Sequence, residues 1–459
     1  MFQIFFKGEK GVPYRDLRDF MTVLAECGQL KRVVREVDPV FGIAAGIRKM
    51  SDTGGPALYF ERIKGHRMPV VGGLCQDRQK ALLALEASSW ADGIERVRRG
   101  VASPLVPVVV ADAPCREVVY TGEQINLFDL PVPVLHASDS GPFITAGVQI
   151  SRDPQTGCNN AAISRLELKG PRHMLIKTYP FQHLAMQLSR AEALGRPLEV
   201  ATAIGLDPVI LYASQVKVPY GVDELAVAGG IRGVPVEVVP ALTVDLAVPA
   251  RAEIVIEGRI LPGVREMEGS FGEFTGYYGA REESPVLEVT ALTCRRDAVL
   301  QVVMTGLPCT ENHVLKTFGY EAALWERLKA SYPEVQGVCY QTSAGTQFNV
   351  VVSLRQRYRG QARSLLLAVL GDALHPKTVI VVDDDVDIYD PVQVNWAVAT
   401  RVQPARDVII LEHIPGGDLD PSAPAMGITS VMGIDATRPY GQAFAEVVQV
   451  PGVRDFRIE

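Results

Sequence analysis

The sequence predicts a multidomain protein of mixed α/β and α+β class, in which a central antiparallel sheet or barrel separates two α/β domains. Its 459 residues exceed what one compact core usually holds. Helical and strand-like patterns alternate over residues 15–100, which favours an α/β domain. From about 116 to 305, short β-branched runs recur between glycines and prolines, and the α/β alternation then returns. We therefore expect domains at 1–115, 116–305 and 306–459.

Each region contains segments whose periodicity predicts a particular element. In the first, 15-RDLRDFMTVLAECGQL-30 and 78-RQKALLALEA-87 are expected to be helices. Between them, 57-ALYFERIKGHRMPVVGGL-74 predicts two strands around a turn at Gly65. The predicted central strands are 145-TAGVQISRD-153, 161-AAISRLELKG-170, 208-PVILYAS-214, 253-EIVIEGRI-260 and 286-VLEVTALTCRRDAVLQVV-303, and a helix over 182–195 interrupts them. In the tail, helices over 363–374 and 392–402 flank a buried strand in 377–390.

Composition excludes several classes of protein. A formal net charge of −7 argues against nucleic acid or an anionic membrane as a bulk partner. Seven cysteines without a CxxC pair indicate free thiols in a reducing compartment. The first residues lack the features of a signal peptide, and the apolar runs are shorter than the roughly 20 residues of a membrane span. We expect a cytoplasmic protein with no GxxxxGK[ST] or GxGxxG nucleotide site.

The stretch 268-EGSFGEFTGY-277 places two carboxylates, Glu268 and Glu273, on a glycine-rich segment that cannot easily form a helix. Gly269, Gly272 and Gly276 suit positive φ angles or a close approach of another group. Two neighbouring carboxylates repel each other, so one of them can stay partly protonated and act as a general acid. The alternative is a solvated turn with two surface acids.

Arg165 lies in 159-NNAAISRLELKG-170, where strand periodicity puts it on the same face as Ile163 and Glu167. It is expected either to be half-buried with a carboxylate partner or to extend into water.

His183 follows Pro180 at the start of a helix, where it can hold a metal, a phosphate or only the helix terminus. The run 383-DDDVD-387 suggests magnesium, or simply acids that close a strand.

Taken in order, N-x4-R, QH, an isolated glutamate and EGxxGExxGY resemble the UbiD family of decarboxylases, which use prenylated FMN. Further similar segments are 310-TENH-313, 382-VDDDVDIYDPVQVNWAVATR-401 and 427-GITSVMGIDATRP-439, so the resemblance extends over nearly the whole chain. It implies a central split β-barrel that binds the flavin, between an N-terminal α/β domain and a C-terminal α/β domain involved in oligomerisation.

The resemblance also implies roles for individual residues. Arg165, Glu268 and Glu273 match the catalytic triad, in which Arg165 keeps Glu268 ionised and Glu273 donates the proton. The divalent metal, manganese or magnesium, would be bound by Asn160, His183 and Glu224. The cofactor-binding residues would be Asn160, Ile163, Ser164, Arg165, Gln182, His183, Ser214 and Glu224. Glu224 and backbone oxygens of Cys158, Ala213, Ser214, Val216 and Arg401 would bind potassium, with Cys158 where the family has tryptophan.

The implied activity is reversible, non-oxidative decarboxylation of an aromatic, heteroaromatic or α,β-unsaturated acid, through a covalent cofactor–substrate adduct. Gln182, Phe274 and Asn312 match the substrate pocket. The implied partners are the acid, carbon dioxide, a flavin prenyltransferase that supplies the cofactor, and further copies in a homodimer or homohexamer. A non-catalytic or assembly subunit of a multi-subunit carboxylase is the alternative. A metal hydrolase built on the DDDVD run lacks a matching histidine cluster.

Overall fold

The structure, a computed structural model, describes residues 14–180, 182–417, 419–424 and 427–452. Its internal contacts divide the chain into two compact units. The first unit is the chain up to Glu326 with Thr342–Thr346 and Asp418–Ser422, and the second is Arg327–Gln341, Gln347–Gly417 and the residues from Ala423 onward.

The first region of the chain forms the expected alternation of helices and strands. Its elements are α1 (Leu17–Glu26), β1 (Leu30–Val37), α2 (Gly42–Thr53), β2 (Ala57–Ile63), β3 (Val70–Gly72), α3 (Arg78–Ala84) and α4 (Trp90–Ala102). Asp16 begins α1 by accepting hydrogen bonds from the backbone of Arg18 and Asp19, as an N-cap does. Gly65 takes a positive φ of 79° between β2 and β3, which confirms the predicted turn.

The central region is dominated by strands. Its elements are β4 (Val108–Val109), β5 (Val118–Thr121), β6 (Phe143–Ile144), β7 (Val148–Arg152), β8 (Asn159–Ile163), β9 (Leu166–Leu168), β10 (His173–Ile176), α5 (His183–Ala193), β11 (Leu198–Ile204), α6 (Pro208–Ala213), α7 (Glu224–Arg232), β12 (Glu237–Pro240), β13 (Ala247–Pro249), β14 (Ile254–Glu268), β15 (Glu282–Cys294) and β16 (Leu300–Val302). The largest sheet has the order β6-β9-β10-β15-β14-β11-β7-β8, with β5 also paired to β15. Its neighbouring strands are antiparallel, as expected.

The connection between β8 and β9 shows that this sheet is curled. Only Ser164 and Arg165 separate the two strands in sequence, yet β8 is at one end of the strand order and β9 is next to the other. Three Cα–Cα steps span at most about 11 Å. The two ends of the sheet must therefore come close together, which confirms the expected split barrel and places Arg165 at its seam.

Three predicted strands are wrong in detail, and one of them, expected over 286–303, is divided between β15 and β16 of two different sheets. The single strand expected over 161–170 is broken at Ser164 and Arg165, so Arg165 lies in a connection and not in mid-strand. The segment 208-PVILYAS-214 forms the helix α6 instead of a strand. Pro208 occupies its first position, and Asp207 accepts a hydrogen bond from the Val209 backbone nitrogen at 3.0 Å. These helix-start signals outweigh the strand preference of the Val and Ile that follow.

The core of the first unit is shared by the first and central regions. β16, from the end of the central region, pairs with β3 to complete the sheet β1-β2-β3-β16. One buried apolar cluster contains Ile43 and Phe60 together with Leu166 and Ile256 of the barrel. Burying each such side chain contributes about 1.5–3 kcal/mol, so this cluster fixes the barrel against the α/β layer. A small separate sheet has the order β13-β12-β4.

The second unit contains a mixed sheet in the order β17-β18-β19-β21-β20. The remaining elements are α8 (Glu311–Ser331), which starts in the first unit, β17 (Val335–Tyr340), β18 (Asn349–Leu354), α9 (Gln361–Leu370), β19 (Thr378–Asp383), α10 (Pro391–Arg401), α11 (Pro404–Asp407), β20 (Val408–Pro415) and β21 (Ile428–Ala436). The predicted tail helices and buried strand are confirmed as α9, α10 and β19. None of the helices within the described ranges combines the length and hydrophobicity that a membrane crossing requires. All seven cysteines are free thiols, as expected.

Candidate active site

Arg165 binds both glutamates of the EGSFGE segment. Its Nε and Nη2 atoms donate to the two carboxylate oxygens of Glu268 at 2.8 and 3.1 Å, and its Nη1 donates to Oε1 of Glu273. The Arg165 side chain is 10% exposed, and those of Glu268 and Glu273 are 1% and 8% exposed. The structure therefore realises the alternative in which Arg165 is buried with carboxylate partners.

The two carboxylates differ in how many hydrogen bonds they accept. Glu268 ends β14, and besides the Arg165 contacts its Oε2 accepts a hydrogen bond from Ser284 on β15 at 3.1 Å. Both Glu268 oxygens are thus occupied. The Oε2 of Glu273 has no hydrogen-bond donor among the residues that the structure describes. Glu273 is consequently the carboxyl that keeps an oxygen available to carry a proton.

Glycines allow the segment around Glu273 to make close contacts. A Cβ atom on Gly269 would lie 1.9 Å from Ser140, and one on Gly272 would lie 2.4 Å from the His136 ring. Gly276 has a positive φ of 83°. The expected close approach and unusual backbone are therefore confirmed at these three positions. The same segment borders a cavity of about 470 Å³, which Gly272 and Gly276 help to line.

A second cluster joins the start of two helices to β8. His183 is the first residue of α5 and Glu224 the first of α7, and their Nδ1 and Oε1 atoms are 3.9 Å apart. Oε2 of Glu224 accepts a hydrogen bond from the Ala161 backbone nitrogen at 2.8 Å. Burial raises the pKa of Glu224 to about 7. Burial, followed by the charge of Lys217, lowers the pKa of His183.

Asn160 on β8 completes a set of groups that fits a divalent cation. It is 2% exposed, and its side-chain nitrogen has no hydrogen-bond partner among the described residues. The amide oxygen and nitrogen exchange places on a 180° flip, so an oxygen can occupy this unsatisfied position. Amide and carboxylate oxygens with one imidazole suit manganese or magnesium. In the described parts of the chain no three His, Cys, Asp or Glu residues cluster as metal ligands, so the amide is needed.

The three expected substrate residues lie in three different parts of the first unit. Phe274 follows Glu273 in the chain and is 4% exposed. Asn312, in the first turn of α8, donates from Nδ2 to Thr305 Oγ1 at 3.2 Å. Gln182 is the N-cap of α5, and its side chain accepts a hydrogen bond from the Tyr179 backbone nitrogen at 3.0 Å.

Sequence models of one protein family match almost all of this architecture. They describe the 3-octaprenyl-4-hydroxybenzoate carboxy-lyase N-terminal domain, Rift-related domain and C-terminal domain, and they match residues 21–99, 107–308 and 313–436. The chain belongs to the UbiD family of carboxy-lyases. Its members are decarboxylases, so the expected family, enzyme class and fold are confirmed.

Solved UbiD-class structures are similar over nearly their full length. HmfF of Pelotomaculum thermopropionicum, in complex with FMN, is 41% identical with a TM-score of 0.91, covering 96% of this chain and 99% of that one. The vanillic acid decarboxylase of Sedimentibacter hydroxybenzoicus is 33% identical with a TM-score of 0.88, covering 97% of each chain. An uncharacterized protein of Archaeoglobus fulgidus is 34% identical over 454 residues, covering 93% of this chain and 92% of its own.

The remaining cofactor residues expected from the UbiD resemblance lie near these two clusters. Ile163 ends β8, and Ser164 is adjacent to Arg165 at the seam. The Ser164 carbonyl accepts a hydrogen bond from Gln149 Nε2 at 3.3 Å. Ser214 follows α6, where its hydroxyl donates to the Leu211 carbonyl at 2.7 Å.

The potassium site stays a prediction. Ala213, Ser214 and Val216 lie together at the end of α6, and the Val216 nitrogen donates to the Ala213 carbonyl at 3.0 Å. The Cys158 carbonyl already accepts hydrogen bonds from the Asp153 nitrogen at 2.8 Å and from Gln187 Nε2 at 3.2 Å. These contacts use both of its lone pairs. Arg401, another expected ligand, ends α10 in the second unit.

The acids of the DDDVD run are paired with arginines. Arg401 donates to Asp383 at 3.1 Å and to the two oxygens of Asp385 at 3.0 and 2.9 Å. Asp384 accepts a hydrogen bond from Arg355 at 2.7 Å. The fourth acid, Asp387, accepts a hydrogen bond from the Tyr389 backbone nitrogen at 2.9 Å. Because three of the four acids have a cationic partner and the fourth caps a turn, this arrangement favours acids that close a strand and not the magnesium hypothesis.

His313 is a site residue that the sequence analysis did not identify. Its Nδ1 accepts a hydrogen bond from the Thr310 backbone nitrogen at 3.0 Å. Nε2 must then carry the proton, and it donates to the Phe274 carbonyl at 2.6 Å. Burial lowers the pKa of His313 to about 4, so the ring is neutral. His313 thus holds the backbone next to Glu273. The motif TENH contained it, but a lone histidine carries no local sign of this role.

Tyr179 is a second such residue. It lies close to the triad, because the charges of Glu273, Arg165 and Glu268 all act on its hydroxyl. Burial, and then the negative charge of Glu273, raise the pKa of Tyr179 well above its ordinary value. Its hydroxyl is therefore neutral and adds a polar contact to the triad without adding charge.

Proposed function

We propose that this protein catalyses the reversible, non-oxidative decarboxylation of an aromatic, heteroaromatic or α,β-unsaturated carboxylic acid with prenylated FMN. The observation that carries the proposal is the difference between the two glutamates that share Arg165. Glu268 is fully hydrogen-bonded, whereas Oε2 of Glu273 has no donor among the described residues. A decarboxylase needs one group that delivers a proton to the carbon that has lost carbon dioxide, and Glu273 suits that task.

The chemistry that prenylated FMN supplies when bound is an electron sink, joined covalently to the substrate, for the electron pair left by departing carbon dioxide. Arg165 holds Glu273 by its Oε1 and so orients Oε2. Glu268 compensates the charge of Arg165 and fixes its guanidinium by two parallel hydrogen bonds. Glu273 then carries the proton on Oε2 and releases it to the substrate carbon.

Asn160, His183 and Glu224 are the proposed ligands of Mn²⁺ or Mg²⁺ beside the flavin phosphate. The unpartnered amide of Asn160 and the buried carboxyl of Glu224 support this assignment. The positive ends of the α5 and α7 helix dipoles also favour an anion here. A bound cation would offset the cost of burying the Glu224 charge. Potassium, at Glu224 and the end of α6, belongs to the same proposal.

The named relatives guide the choice of substrate and assembly. One is a vanillic acid decarboxylase and another a 3,4-dihydroxybenzoic acid decarboxylase, so aromatic acids are the first class to test. Phe274 offers a flat apolar surface, and the Asn312 amide can bind a ring NH or hydroxyl. We further propose a homodimer or homohexamer in the cytoplasm, supplied with cofactor by a flavin prenyltransferase.

The test is to co-express the protein with a flavin prenyltransferase and to screen acids for carbon dioxide release. We expect a visible absorption spectrum of bound flavin and turnover of at least one aromatic, heteroaromatic or cinnamic-type acid. Bound flavin without carbon dioxide release from any acid would favour the alternative of a non-catalytic or assembly subunit. Protein that purifies without flavin under these conditions would contradict the cofactor assignment.

A further inference from the structure

A second stretch of chain, residues 136–140, lies along the glycine-containing segment that follows β14. The Ser140 backbone nitrogen donates to the Ser270 carbonyl at 3.0 Å, and the Ser270 hydroxyl donates to the Ser138 carbonyl. The Ser138 nitrogen donates to the Tyr278 hydroxyl at 3.0 Å. These contacts reach residues before and after the proposed proton donor, so the stretch 136–140 supports it on both sides in sequence.

Asp139 holds the residue directly before Glu273. Its Oδ1 accepts a hydrogen bond from the Gly272 backbone nitrogen at 2.9 Å. Its Oδ2 accepts hydrogen bonds from the His136 backbone nitrogen at 2.8 Å and from the His136 ring Nδ1 at 3.2 Å, since an ionised carboxylate can only accept. The Asp139 side chain is 0% exposed. This buried carboxylate therefore joins the stretch 136–140 to the backbone at Gly272.

The His136 ring leaves the Gly272 backbone little room to move toward it. A Cβ atom on Gly272 would lie 2.4 Å from the ring Nδ1, and one on Gly306 would lie 2.8 Å from the ring Nε2. The ring is thus packed between two glycine backbones, while Asp139 fixes its orientation through Nδ1. A change at Asp139 would therefore act on Gly272 twice, through the lost hydrogen bond and through the released ring.

Glu273 lies between two held positions of the backbone. On one side Asp139 accepts the Gly272 N–H, and on the other His313 donates to the Phe274 carbonyl at 2.6 Å. The carboxyl of Glu273 itself is held through Oε1 alone among the residues that the structure describes. The position of its Oε2 atom consequently depends on how firmly the backbone is held.

Glu167 ties the stretch 136–140 to the strand that follows Arg165. It lies on β9 and is 2% exposed. Its Oε1 accepts a hydrogen bond from the Ser140 hydroxyl at 2.5 Å, and its Oε2 accepts one from the Gly269 nitrogen at 3.0 Å. Arg165 and the segment whose carboxylates it binds therefore share one support.

We propose that Asp139 is a positioning residue for the proton transfer. Together with the His136 ring, it holds the backbone before Glu273 where Oε2 of that residue reaches the substrate carbon. This inference rests on the proposed decarboxylation. Proton transfer requires a donor within about 3 Å of the acceptor, and a displacement of about 1 Å can cost roughly 100-fold in rate. In this role Asp139 acts only through Glu273.

The first test measures turnover per bound flavin with the acid that the wild type turns over fastest in the screen described above. Asp139→Leu keeps the size of the side chain but removes both acceptor oxygens. It should retain flavin and lower kcat roughly 10- to 100-fold with little change in KM. Asp139→Asn should lose less but still measurably, because one amide oxygen cannot accept from both Gly272 and His136. If Asp139→Leu does not fold, Asp139→Asn is compared with the wild type by the same measurements.

Amide hydrogen exchange in the peptide 269–278 measures positioning independently of activity. Exchange should be faster in Asp139→Leu than in the wild type, because the Gly272 N–H loses its acceptor. The matched control is Asp16→Leu, since Asp16 is also a buried carboxylate and accepts the Arg18 backbone N–H at 3.0 Å. This control should lower the melting temperature but leave kcat per bound flavin and exchange in the peptide unchanged.

A double-mutant cycle with Glu273→Gln separates positioning from an independent contribution to the rate. If Asp139 acts through Glu273, Asp139→Leu should reduce turnover little further once Glu273→Gln is present. Two independent effects would instead multiply.

Several results would overturn the inference. Wild-type kcat in the flavin-loaded Asp139 variant would show that this residue serves stability alone. Equal fold-losses with and without Glu273→Gln would show that it does not act through Glu273, and loss of flavin would assign it to the cofactor site. Turnover of no acid by the wild type would contradict the proposed function, whereas peptide exchange as slow in the variant as in the wild type would contradict this inference alone.

Discussion

Glu268 and Glu273 share one guanidinium, but their remaining contacts separate their roles. The additional hydrogen bond from Ser284 leaves Glu268 with no unused oxygen, and it lies at the end of a paired strand. Glu273 lies beyond that strand, in the glycine-containing segment, and is held through one oxygen only. Two residues of the same type are thus expected to respond differently to the same substitution.

We predict that Glu273→Gln retains flavin and substrate binding but loses turnover by roughly 10²- to 10⁴-fold, the usual value of general acid catalysis. Gln is nearly isosteric with Glu and keeps the hydrogen bond to Arg165, so folding should change little. The measurements are carbon dioxide release and exchange of the product's carbon-bound hydrogen in deuterated water. Exchange and turnover near those of the wild type would show that the proton comes from another group.

Glu268→Gln is the matched control for this prediction. It should also reduce turnover, because it removes the charge that fixes Arg165, but it should leave the rate of hydrogen exchange less affected than Glu273→Gln does. An equal loss of exchange in both variants would show that the two carboxylates act as one unit and not in separate roles.

Among single residues, the sequence identified candidate site residues where the neighbouring residues form an unusual pattern. Glu268, Glu273 and their glycines stood out because three glycines in eight residues rarely occur without a conformational need. The residue pattern alone left the partner of Arg165 open, and only the family resemblance named Glu268, because the two residues are 103 positions apart in sequence and the sheet brings them together. His313 was missed because a single histidine in a helix has no distinguishing pattern.

Helix starts carry the proposed metal ligands, so their loss should affect cofactor content more than folding. We predict that His183→Ala and Glu224→Ala purify folded but with little bound flavin, because the residues proposed to hold the cation that offsets the charge of the flavin phosphate would be lost. The measurement is flavin absorbance per protein after co-expression with the prenyltransferase. Ser189→Ala, at an exposed position of α5, should retain full flavin content. Full occupancy in both ligand variants would remove them from the cofactor site.

The first turn of α8 should make the protein less stable in acid. His313 is neutral and fully buried, and burial lowers its pKa from 6.5 to about 4. Below pH 6.5, His313 is protonated in the unfolded chain but stays neutral in the folded protein. The free energy of unfolding therefore falls as the pH decreases from about 6.5 to 4, and then levels off. The loss should be about 3 kcal/mol, since one pKa unit corresponds to about 1.4 kcal/mol.

Urea unfolding at several pH values measures this effect. His313→Gln, which can preserve one of the two hydrogen bonds but does not titrate, should lower stability at neutral pH and remove this part of the acid dependence. An unchanged slope of stability against pH in the variant would show that other buried groups cause the acid sensitivity.

Among the elements, those with clear periodicity were predicted and those with conflicting signals were not. The helix α10 matches its predicted span to within a few residues, and the strand β19 lies inside its predicted span. The segment that became α6 is rich in β-branched and apolar residues, but Asp207 and Pro208 start a helix there. The break at Arg165 has no local sequence signal, because it is imposed by the curl of the sheet.

For the molecule as a whole, Glu253 joins the first helix to the barrel. This fully buried carboxylate accepts hydrogen bonds from Arg18 on α1 at 2.8 and 2.9 Å and from Arg295 at 2.9 Å. We predict that Glu253→Ala lowers the free energy of unfolding by about 3–5 kcal/mol, because Arg295 then keeps only Asp16, and Arg18 only the exposed Asp297, to balance its charge. Chemical denaturation measures this loss.

Asp297 provides the comparison, since it binds the same Arg18 but its side chain is 77% exposed. Asp297→Ala should cost less than about 1 kcal/mol, as exposed ion pairs do. Similar losses in the two variants would mean that burial of Glu253 is not what makes its ion pairs important.

The order of strands in the barrel is the part of the fold that the sequence pattern could not specify. Alternation and turn residues predicted the presence of strands, but the pairing of β9 with β6 and of β8 with β7 depends on how the sheet closes. The division into a strand-rich region between two α/β regions followed from the sequence pattern, whereas the split form of the barrel came from the family resemblance. The pattern of apolar and turn residues along the sequence does not indicate that the first and central regions share a core. It also does not indicate that β16 joins the first sheet.

The placement of Asn312 on α8 has a consequence for how such an enzyme diversifies. The carboxylates to which we assign the proton transfer lie at the end of β14 and in the glycine-containing segment after it, whereas the proposed substrate residue Asn312 is carried by a helix. On these assignments, a mutation in one codon of α8 alters the range of acids accepted while the reaction itself is inherited unchanged. A saturation library at this position is the natural starting point for directed evolution toward new substrates.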